Sequence, residues 1–311
     1  MDGVVARIRM KAERLAVYTT WYPGVEKYLP EWNRSLTNQT DRDFDVWIGV
    51  DAMDSEREAA ALGGLPDARW VAAEQGDSPA RVRERAMTRL VEAYPAIVFV
   101  DSDDVLLPTR VAAARVALEE HDVAACALRI VDERGRDLGL VFGRFEERDW
   151  GGFLPRHNVF GLSNSAYRSE VLRKLLPLPA DCILIDWLLA TRAWVSGRDL
   201  CFDPEPRMAY RQYGANVAKV LPPFTETDVL RATERVRSHY HLLLDDPSWT
   251  LPPSFRSLLA TARDRFLAFE EFVLNSPENL ERYVEALNGL TPRYVWWWAV
   301  ANPELESLWT I

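Results

Sequence analysis

The sequence predicts an α/β fold, with a mainly parallel sheet flanked by helices and a C-terminal helical extension. Three observations carry this. Short apolar runs alternate with longer stretches of helical spacing through the first half of the chain. The run Ala96–Val100 (AIVFV) is continuously apolar, as expected of a strand buried on both faces. Beyond Phe224 only helical patterns remain, interrupted by Pro252-Pro253, Pro277 and Pro292.

Taken in order, Leu15–Thr20 reads as a strand and Val25–Thr37 as its helix, then Asp45–Val50 as a second strand with a helix from Ser55. Arg69–Ala73 is a short third strand, and Asp77–Glu92 a helix with basic residues along one side. The Ala96–Val100 strand follows, then a helix over Thr109–Glu119 with Pro108 in its first turn. This rhythm implies right-handed crossovers. Asp122–Asp132 and Leu138–Phe142 flank the turn-forming ERGRD and predict an antiparallel hairpin. A glycine-rich loop is expected at Trp150–Gly152, a strand at Ser163–Arg168, helices from Ser169 and over Asp186–Val195, and a late strand at Arg207–Arg211. The expected division is an α/β domain over residues 1–222 and a helical extension over 223–311.

A chain of 311 residues, 48% hydrophobic and 27% charged, is neither disordered nor collagen-like, and three cysteines do not make a disulfide scaffold. Cys126, Cys182 and Cys201 have no CxxC spacing and read as buried, reduced thiols. The formal charge of −10 argues against a nucleic-acid partner. A phosphorylated ligand would need a metal ion or a local basic cluster. No signal-peptide pattern and no bilayer-length apolar run is evident, so a soluble, cytoplasmic protein is expected.

The strongest chemical signal is Asp101-Ser102-Asp103-Asp104, directly after the AIVFV strand. Ligands of open α/β sheets gather at the carboxyl ends of the strands. If the chain stays extended, Asp101 and Asp103 project to one side, and hard oxygen ligands of that kind suit Mg2+ or Mn2+ bridging to a diphosphate. The alternative is a solvated turn ahead of the next helix. Asp51 ends the second strand at the same edge, beside Thr19 and Thr20, where a nucleoside could be held. Arg81, Arg83 and Arg85 form a basic cluster that could neutralise phosphate or simply face solvent. Asp186 interrupts the apolar ILIDWLL and is the candidate proton acceptor, since partial burial raises a carboxyl pKa; a helix N-cap is its structural alternative. Arg211, in Tyr210–Asn216 (YRQYGAN), reaches either a diphosphate or an acidic residue of the edge. His157 and Asn158 precede Gly161-Leu162-Ser163-Asn164, a candidate acceptor-side wall. No GxGxxG, P-loop, HExxH or GxSxG pattern occurs.

In this order the pieces resemble the family 2 glycosyltransferases. Ser35–Thr40 through Val50-Asp51 is similar to the family's SLLNQTY…VVD segment, Asp101–Asp104 to its DxD motif, and Asn164–Leu172 to its acceptor-side strand and helix. Asp186 falls at the acidic position of the catalytic ED-type motif, and YRQYGAN resembles the YRQH-type ending. The resemblance covers roughly residues 13–220. It implies a GT-A, Rossmann-like fold and an inverting transfer of sugar from a UDP-, GDP- or dTDP-sugar to an acceptor hydroxyl on a glycan, lipid-linked compound or protein. Asp101 and Asp103 would hold Mn2+ or Mg2+, with Asp103 the main ligand. Thr19, Thr20, Asp51, Arg81 or Arg85, Asp101, Ser102 and Arg211 would contact the nucleotide sugar. His157, Asn164 and Trp187 would line the acceptor side, and Asp186 would be the base.

The chain departs from the family at Thr19–Pro23, where the usual proline-rich exit is missing. It departs again at Ala52 (no second Asp), Ile185 (no second acidic residue) and Tyr213 (no His). These departures feed a rival reading, a degenerate nucleotide-binding or scaffold protein. A nucleotidyltransferase would carry a basic, glycine-rich phosphate loop near the N-terminus, and none is evident. The aromatic stretch Tyr294–Trp298 with Trp309 is expected to pack the extension onto the first domain, its alternatives being a homodimer contact or a membrane-surface platform.

Overall fold

The computed structural model describes residues 13–62, 68–143, 149–214, 216–247 and 249–310. Residues 1–12 of the first expected domain and Ala215 of the YRQYGAN stretch lie outside them.

The sheet begins with β1 (Leu15–Trp21), β2 (Phe44–Val50), β3 (Arg69–Ala72) and β4 (Ala96–Phe99), which run parallel in the order β3-β2-β1-β4. Every residue of β1 and β4 is buried. That is why the sequence there is continuously apolar rather than alternating. The connecting helices are α1 (Leu29–Thr37), α2 (Ser55–Ala61) and α3 (Pro79–Ala93). In α3, Ser78 caps the N-terminus by accepting from the Arg81 amide, Pro79 follows it, and Ala80, Val82, Ala86, Met87, Leu90 and Val91 are buried.

After β4 comes a strand of two residues, β5 (Val105–Leu106), then α4 (Arg110–Glu120) and the hairpin β6 (Val123–Val131) and β7 (Asp137–Phe142). Thr109 is the N-cap of α4, so Pro108 lies just before the helix. Trp150–Gly152 is not a loop: Asp149 accepts from the Gly151 amide and opens the short helix α5 (Trp150–Phe153). β8 (Ser165–Arg168), α6 (Ser169–Leu175), α7 (Ile185–Val195) and β9 (Leu200–Arg211) complete the first unit. β8 inserts antiparallel between β4 and β6, while β9 runs parallel to β6 and pairs β5. The result is a mostly parallel central sheet flanked by helices, as the sequence predicts. β9 is longer than expected. Pro204 and Pro206 cannot donate to the ladder, and its register against β6 shifts around Cys126–Leu128.

The extension comprises α8 (Glu226–Asp245), α9 (Pro253–Asn275), α10 (Pro277–Gly289) and a 3-10 turn over Pro303–Leu308. Thr225 and Asp228 form a reciprocal capping box at the start of α8. Between α10 and the 3-10 turn the aromatic stretch returns to the first unit. Trp296 packs 4.1 Å from Phe142, and its indole N–H donates to the Tyr210 hydroxyl at 3.0 Å. A Cβ at Gly161 would collide with the Trp296 ring, so bare backbone is required there. Trp298 lies against Phe224, and Trp309 against Phe269 and Tyr283. Trp296 and, through Trp187, Trp297 pack the extension onto the first unit, the first of the roles expected, whereas Trp298 and Trp309 pack within the extension. Cys126 and Cys182 are buried free thiols and Cys201 is half-buried. Among the described residues no helix is long and apolar enough to cross a membrane.

Candidate functional site

The four residues after β4 form a turn rather than an extended strand, closed by the Asp104 amide donating to the Asp101 carbonyl at 3.2 Å. The simple alternation expected for Asp101 and Asp103 therefore does not apply, yet the turn still brings their charges together. Ser102 is buried and its hydroxyl donates to the Thr20 carbonyl at 2.7 Å, stapling the turn to β1. Asp103 accepts from the Tyr213 hydroxyl at 2.8 Å and is also bonded by Tyr22. Burial pushes Asp103 above the ordinary carboxylate range, against those donors. Asp101 keeps partial solvent contact; burial first and the Asp103 charge second raise its pKa to about 7, opposed by Arg83.

Asp104 is different. One oxygen accepts from the Arg211 amide at 2.7 Å and the other from the Ser163 hydroxyl, so this carboxyl is filled by fold contacts. Burial holds it far above the usual range. Arg211 is likewise engaged: Nε donates to the Asp103 carbonyl at 2.8 Å, Nη1 to the Glu133 carbonyl at 3.0 Å, and Nη2 pairs with Glu31 at 2.6 Å. Its guanidinium also lies 4.6 Å from the Tyr28 ring centre. Of the two roles open to it in the sequence, pairing with an acidic residue is the one these contacts occupy.

Asp186 is the second residue of α7; the N-cap is Leu184, not Asp186. Its carboxylate takes its own and the Trp187 backbone N–H groups and accepts from the Asn158 amide at 3.0 Å. Burial nevertheless dominates and raises its pKa to about 6. Asn158 is oriented in turn by the Phe160 amide, which donates to its oxygen at 2.9 Å. The charge that reaches both Asp101 and Asp186 is that of Arg83. It has no hydrogen-bond or ion-pair partner among the described residues. Arg81 pairs with Glu84, whereas Arg85 pairs with Asp77 at 2.8 Å and Glu74 at 3.1 Å.

The remaining expected residues divide between edge and interior. Asp51 sits partly exposed just past β2, its amide donating to the Trp21 carbonyl at 2.9 Å, and the next residue, Ala52, has a left-handed backbone at φ +50°. Thr19 is buried on β1 and its hydroxyl has no partner among the described residues; Thr20 contacts the Tyr18 hydroxyl at 3.2 Å. His157 is buried against Phe153, with its pKa lowered by burial to about 3. Asn164 is fully buried, accepting from the Gly161 amide and donating to the Cys126 and Val159 carbonyls. Trp187 is fully buried, its ring stacked 4.0 Å from His239 and 6.2 Å from Trp297. The electrostatically linked set is thus Asp101, Asp103, Asp186 and Arg83, supported by Tyr22, Tyr213 and Asn158.

No protein-family model matches the chain, and no curated protein does. Solved structures do. A mannosyltransferase from Pyrobaculum calidifontis, PcManGT, solved in complex with GDP-Man and Mn2+, superposes with a TM-score of 0.57 at 16% identity, covering 89% of this chain and 74% of that one. Residues 1–349 of S. aureus TarS in complex with UDP-GlcNAc give 0.59 at 18% identity, covering 88% of this chain and 79% of that one. The same portion in complex with UDP gives 0.56 at 18%, covering 83% and 73%. The fold is that of these glycosyltransferases. At such identity the likeness concerns the backbone architecture alone. The DSDD turn at the end of β4 and the first turn of α7 are close enough for their charges to interact, Asp186 adding to the rise in the Asp101 pKa. Among the described residues, no three or more His, Cys, Asp or Glu side chains are grouped so as to hold a metal ion.

Proposed function

We propose that the protein is an inverting glycosyltransferase, moving a sugar from a nucleoside diphosphate to an acceptor hydroxyl. The observation that carries this reading is Asp186. It is a recessed carboxylate with its pKa raised to about 6 and its orientation fixed by Asn158, and it is electrostatically coupled to the carboxylate rim of β4. A base of that strength is largely ionised at neutral pH yet basic enough to assist an alcohol.

In the proposed step the acceptor hydroxyl gives its proton to an Asp186 oxygen as its oxygen bonds to the anomeric carbon. The bond from that carbon to the diphosphate oxygen breaks on the opposite face, and the electron pair leaves with the diphosphate. A single displacement inverts the centre. Arg83, with no hydrogen-bond or ion-pair partner among the described residues and its charge felt at both carboxylate groups, offsets the negative charge brought in by the diphosphate. Thr19, whose buried hydroxyl is unpartnered, and Asp51, open at the end of β2, would meet the nucleoside.

Two neighbouring carboxylates of raised pKa in one turn, the charge of Asp103 felt at Asp101, offer hard oxygen ligands to a divalent cation that takes its other ligands from substrate phosphate and water. Asp101 and Asp103 would hold Mn2+ or Mg2+, which when bound supplies Lewis-acid stabilisation of the leaving diphosphate. PcManGT, with GDP-Man and Mn2+, supports that choice by analogy.

A second reading, a nucleotide-binding protein without transfer activity, draws on Tyr213. Its hydroxyl already donates to Asp103 and competes with a cation for that oxygen. Measuring sugar release from UDP-, GDP- and dTDP-sugars with and without Mn2+ separates the two. Turnover abolished by Asp186→Asn upholds the enzyme. Nucleotide binding without any turnover upholds the rival.

A further inference from the structure

A cavity of about 320 Å3 lies between the segment that follows β9 and the first half of α8. Tyr213, which donates to Asp103, lines one end of it. Trp297 lines another wall, and its ring stacks on Trp187, the neighbour of Asp186. The Trp297 backbone sits at φ +70°, a left-handed conformation rare for any residue but glycine, and strain of this kind concentrates at functional sites. The cavity therefore meets one residue bonded to Asp103 and one stacked on the neighbour of Asp186.

Its charge is unusual for this chain. Lys219, Arg231 and Arg235 line it together with the acidic Asp228, so three cations against one anion leave +2, in a protein whose formal charge is −10. Asp228 is already engaged by Lys219 at 2.8 Å and by the Thr225 amide and hydroxyl. Arg235 donates to the Val217 carbonyl and so ties the loop to α8. Arg231, one turn earlier on α8, is exposed and has no hydrogen-bond or ion-pair partner among the described residues. Like charges four residues apart on a helix repel. Burial, and then the Arg231 charge, hold Arg235 below the ordinary arginine range. Two guanidinium forks and an ammonium around a partly apolar recess favour a multivalent anion.

We propose that this cavity binds a phosphate group carried by the acceptor, making the second substrate a phosphate ester with free hydroxyls. Arg231, Arg235 and Lys219 grip the phosphate while one hydroxyl reaches Asp186. The assignment rests on the transferase reading for its role, though not for its chemistry. A phosphate monoester carries about −1.5 to −2 near neutral pH, matching the lining. The volume is at the lower end of small-ligand sites, enough for an ester of sugar or polyol size. The donor is assigned elsewhere. Its nucleoside meets Thr19 and Asp51 at the ends of β1 and β2, on the far side of β4 from β9, and the cavity meets the donor's diphosphate end only at Tyr213, which donates to Asp103.

The test compares the full chain with Arg231→Glu, a change at an exposed side chain that has no hydrogen-bond or ion-pair partner among the described residues. Calorimetric titration with glycerol 3-phosphate in phosphate-free buffer reads the cavity, and titration with UDP or GDP plus Mn2+ reads the donor site. Glycerol 3-phosphate should bind the unaltered chain and weaken roughly tenfold or more in the variant, as expected for a lost charge-assisted contact. Nucleotide affinity should change by less than about twofold, as for independent sites. A large loss of nucleotide affinity in Arg231→Glu would make the cavity part of the donor site and overturn the proposal. So would absent glycerol 3-phosphate binding, or binding that the variant leaves unchanged. If no nucleotide binds at all while Arg231-dependent glycerol 3-phosphate binding persists, the phosphate site is upheld and the transferase reading falls.

Discussion

Asp186→Asn should stop transfer and stabilise the fold at the same time. The carboxyl is moved from its ordinary 3.8 to about 6, chiefly because burial penalises the ionised form. A raised acid pKa means that the native state prefers the neutral group. The contribution is fully favourable below about pH 3.8 and is lost as pH rises through about 6. At pH 7 the ionised native state is therefore penalised by at most about 3 kcal/mol, and by about 1–2 kcal/mol once its partial solvent contact is allowed for. Asparagine removes the charge while its amide oxygen can still accept from Asn158. Thermal unfolding of both proteins from pH 4 to pH 8 should show the variant gaining stability with pH and levelling off above about pH 6.5. In a chain of this size the gain is a few degrees, about 2 °C per kcal/mol. Transfer should fall by about 10²–10⁴, the usual worth of a positioned base, with nucleotide affinity little changed. In the unaltered protein the rate should drop as pH falls through about 6. A variant less stable at pH 7, or a stability difference that does not vary with pH, would refute the claim that an uncompensated buried charge is held at this position.

The neighbouring carboxyls should separate by role: Asp104→Asn can still accept from the Arg211 amide and meet Ser163, so it should keep the fold and metal-dependent nucleotide binding. Asp103→Ala should lose that binding by roughly tenfold or more, a charge-assisted contact being worth about 1.5–3 kcal/mol, and equal losses in both variants by calorimetry would contradict the division. Acid should destabilise the protein through His157 and His239, both lowered by burial from 6.5 to about 3. Their contribution is present above about pH 6.5 and lost as pH falls towards about 3; at pH 5 each costs about 2 kcal/mol, visible as a fall in the urea midpoint that a chain with freely titrating histidines would not show. Trp296→Ala should cost about 3–5 kcal/mol, and Gly161→Ala should destabilise through the same contact. Protease resistance of residues 294–310 retained in either variant would argue against internal docking of the aromatic stretch.

The sequence made some features legible and hid others, for physical reasons. β1 and β4 are readable because complete burial leaves unbroken apolar runs. β5 is two residues long and exists only through its pairing with β9, so no periodicity could reveal it. β9 is concealed by Pro204 and Pro206, which weaken any strand pattern while the chain bulges around them. At the site, the DSDD turn stands out because charge follows an apolar run. The division of labour within it depends on Arg211 and Ser163, far away in sequence. Arg83 carried a readable signal. It lies three residues after Ala80 and three and four before Ala86 and Met87, so it shares the buried stripe of α3, whereas Arg81 and Arg85 turn outward to acidic partners. Asn158 and Asn164 are alike in sequence context. Only the tertiary structure sends one to Asp186 and the other into backbone carbonyls.

The helical extension explains how a single aspartate comes to sit in so apolar a setting. In α7, nine of eleven residues are buried, and its sequence lacks the one-sided stripe of a surface helix. One side meets the first unit, where Trp187 donates to the Leu154 carbonyl at 2.8 Å. The other meets the extension: Trp187 stacks on His239 and Trp297, Trp194 packs 4.8 Å from Phe255, and Arg192 pairs with Asp246 at 2.8 Å. The flank of α7 that carries Trp187, next to Asp186, is thus covered by residues more than fifty positions downstream. A first unit lacking them would expose one flank of α7 to water, and the carboxyl would relax towards its ordinary range. On this argument the extension helps to set the strength of the proposed base, and the fold of residues 13–222 alone does not specify the chemistry.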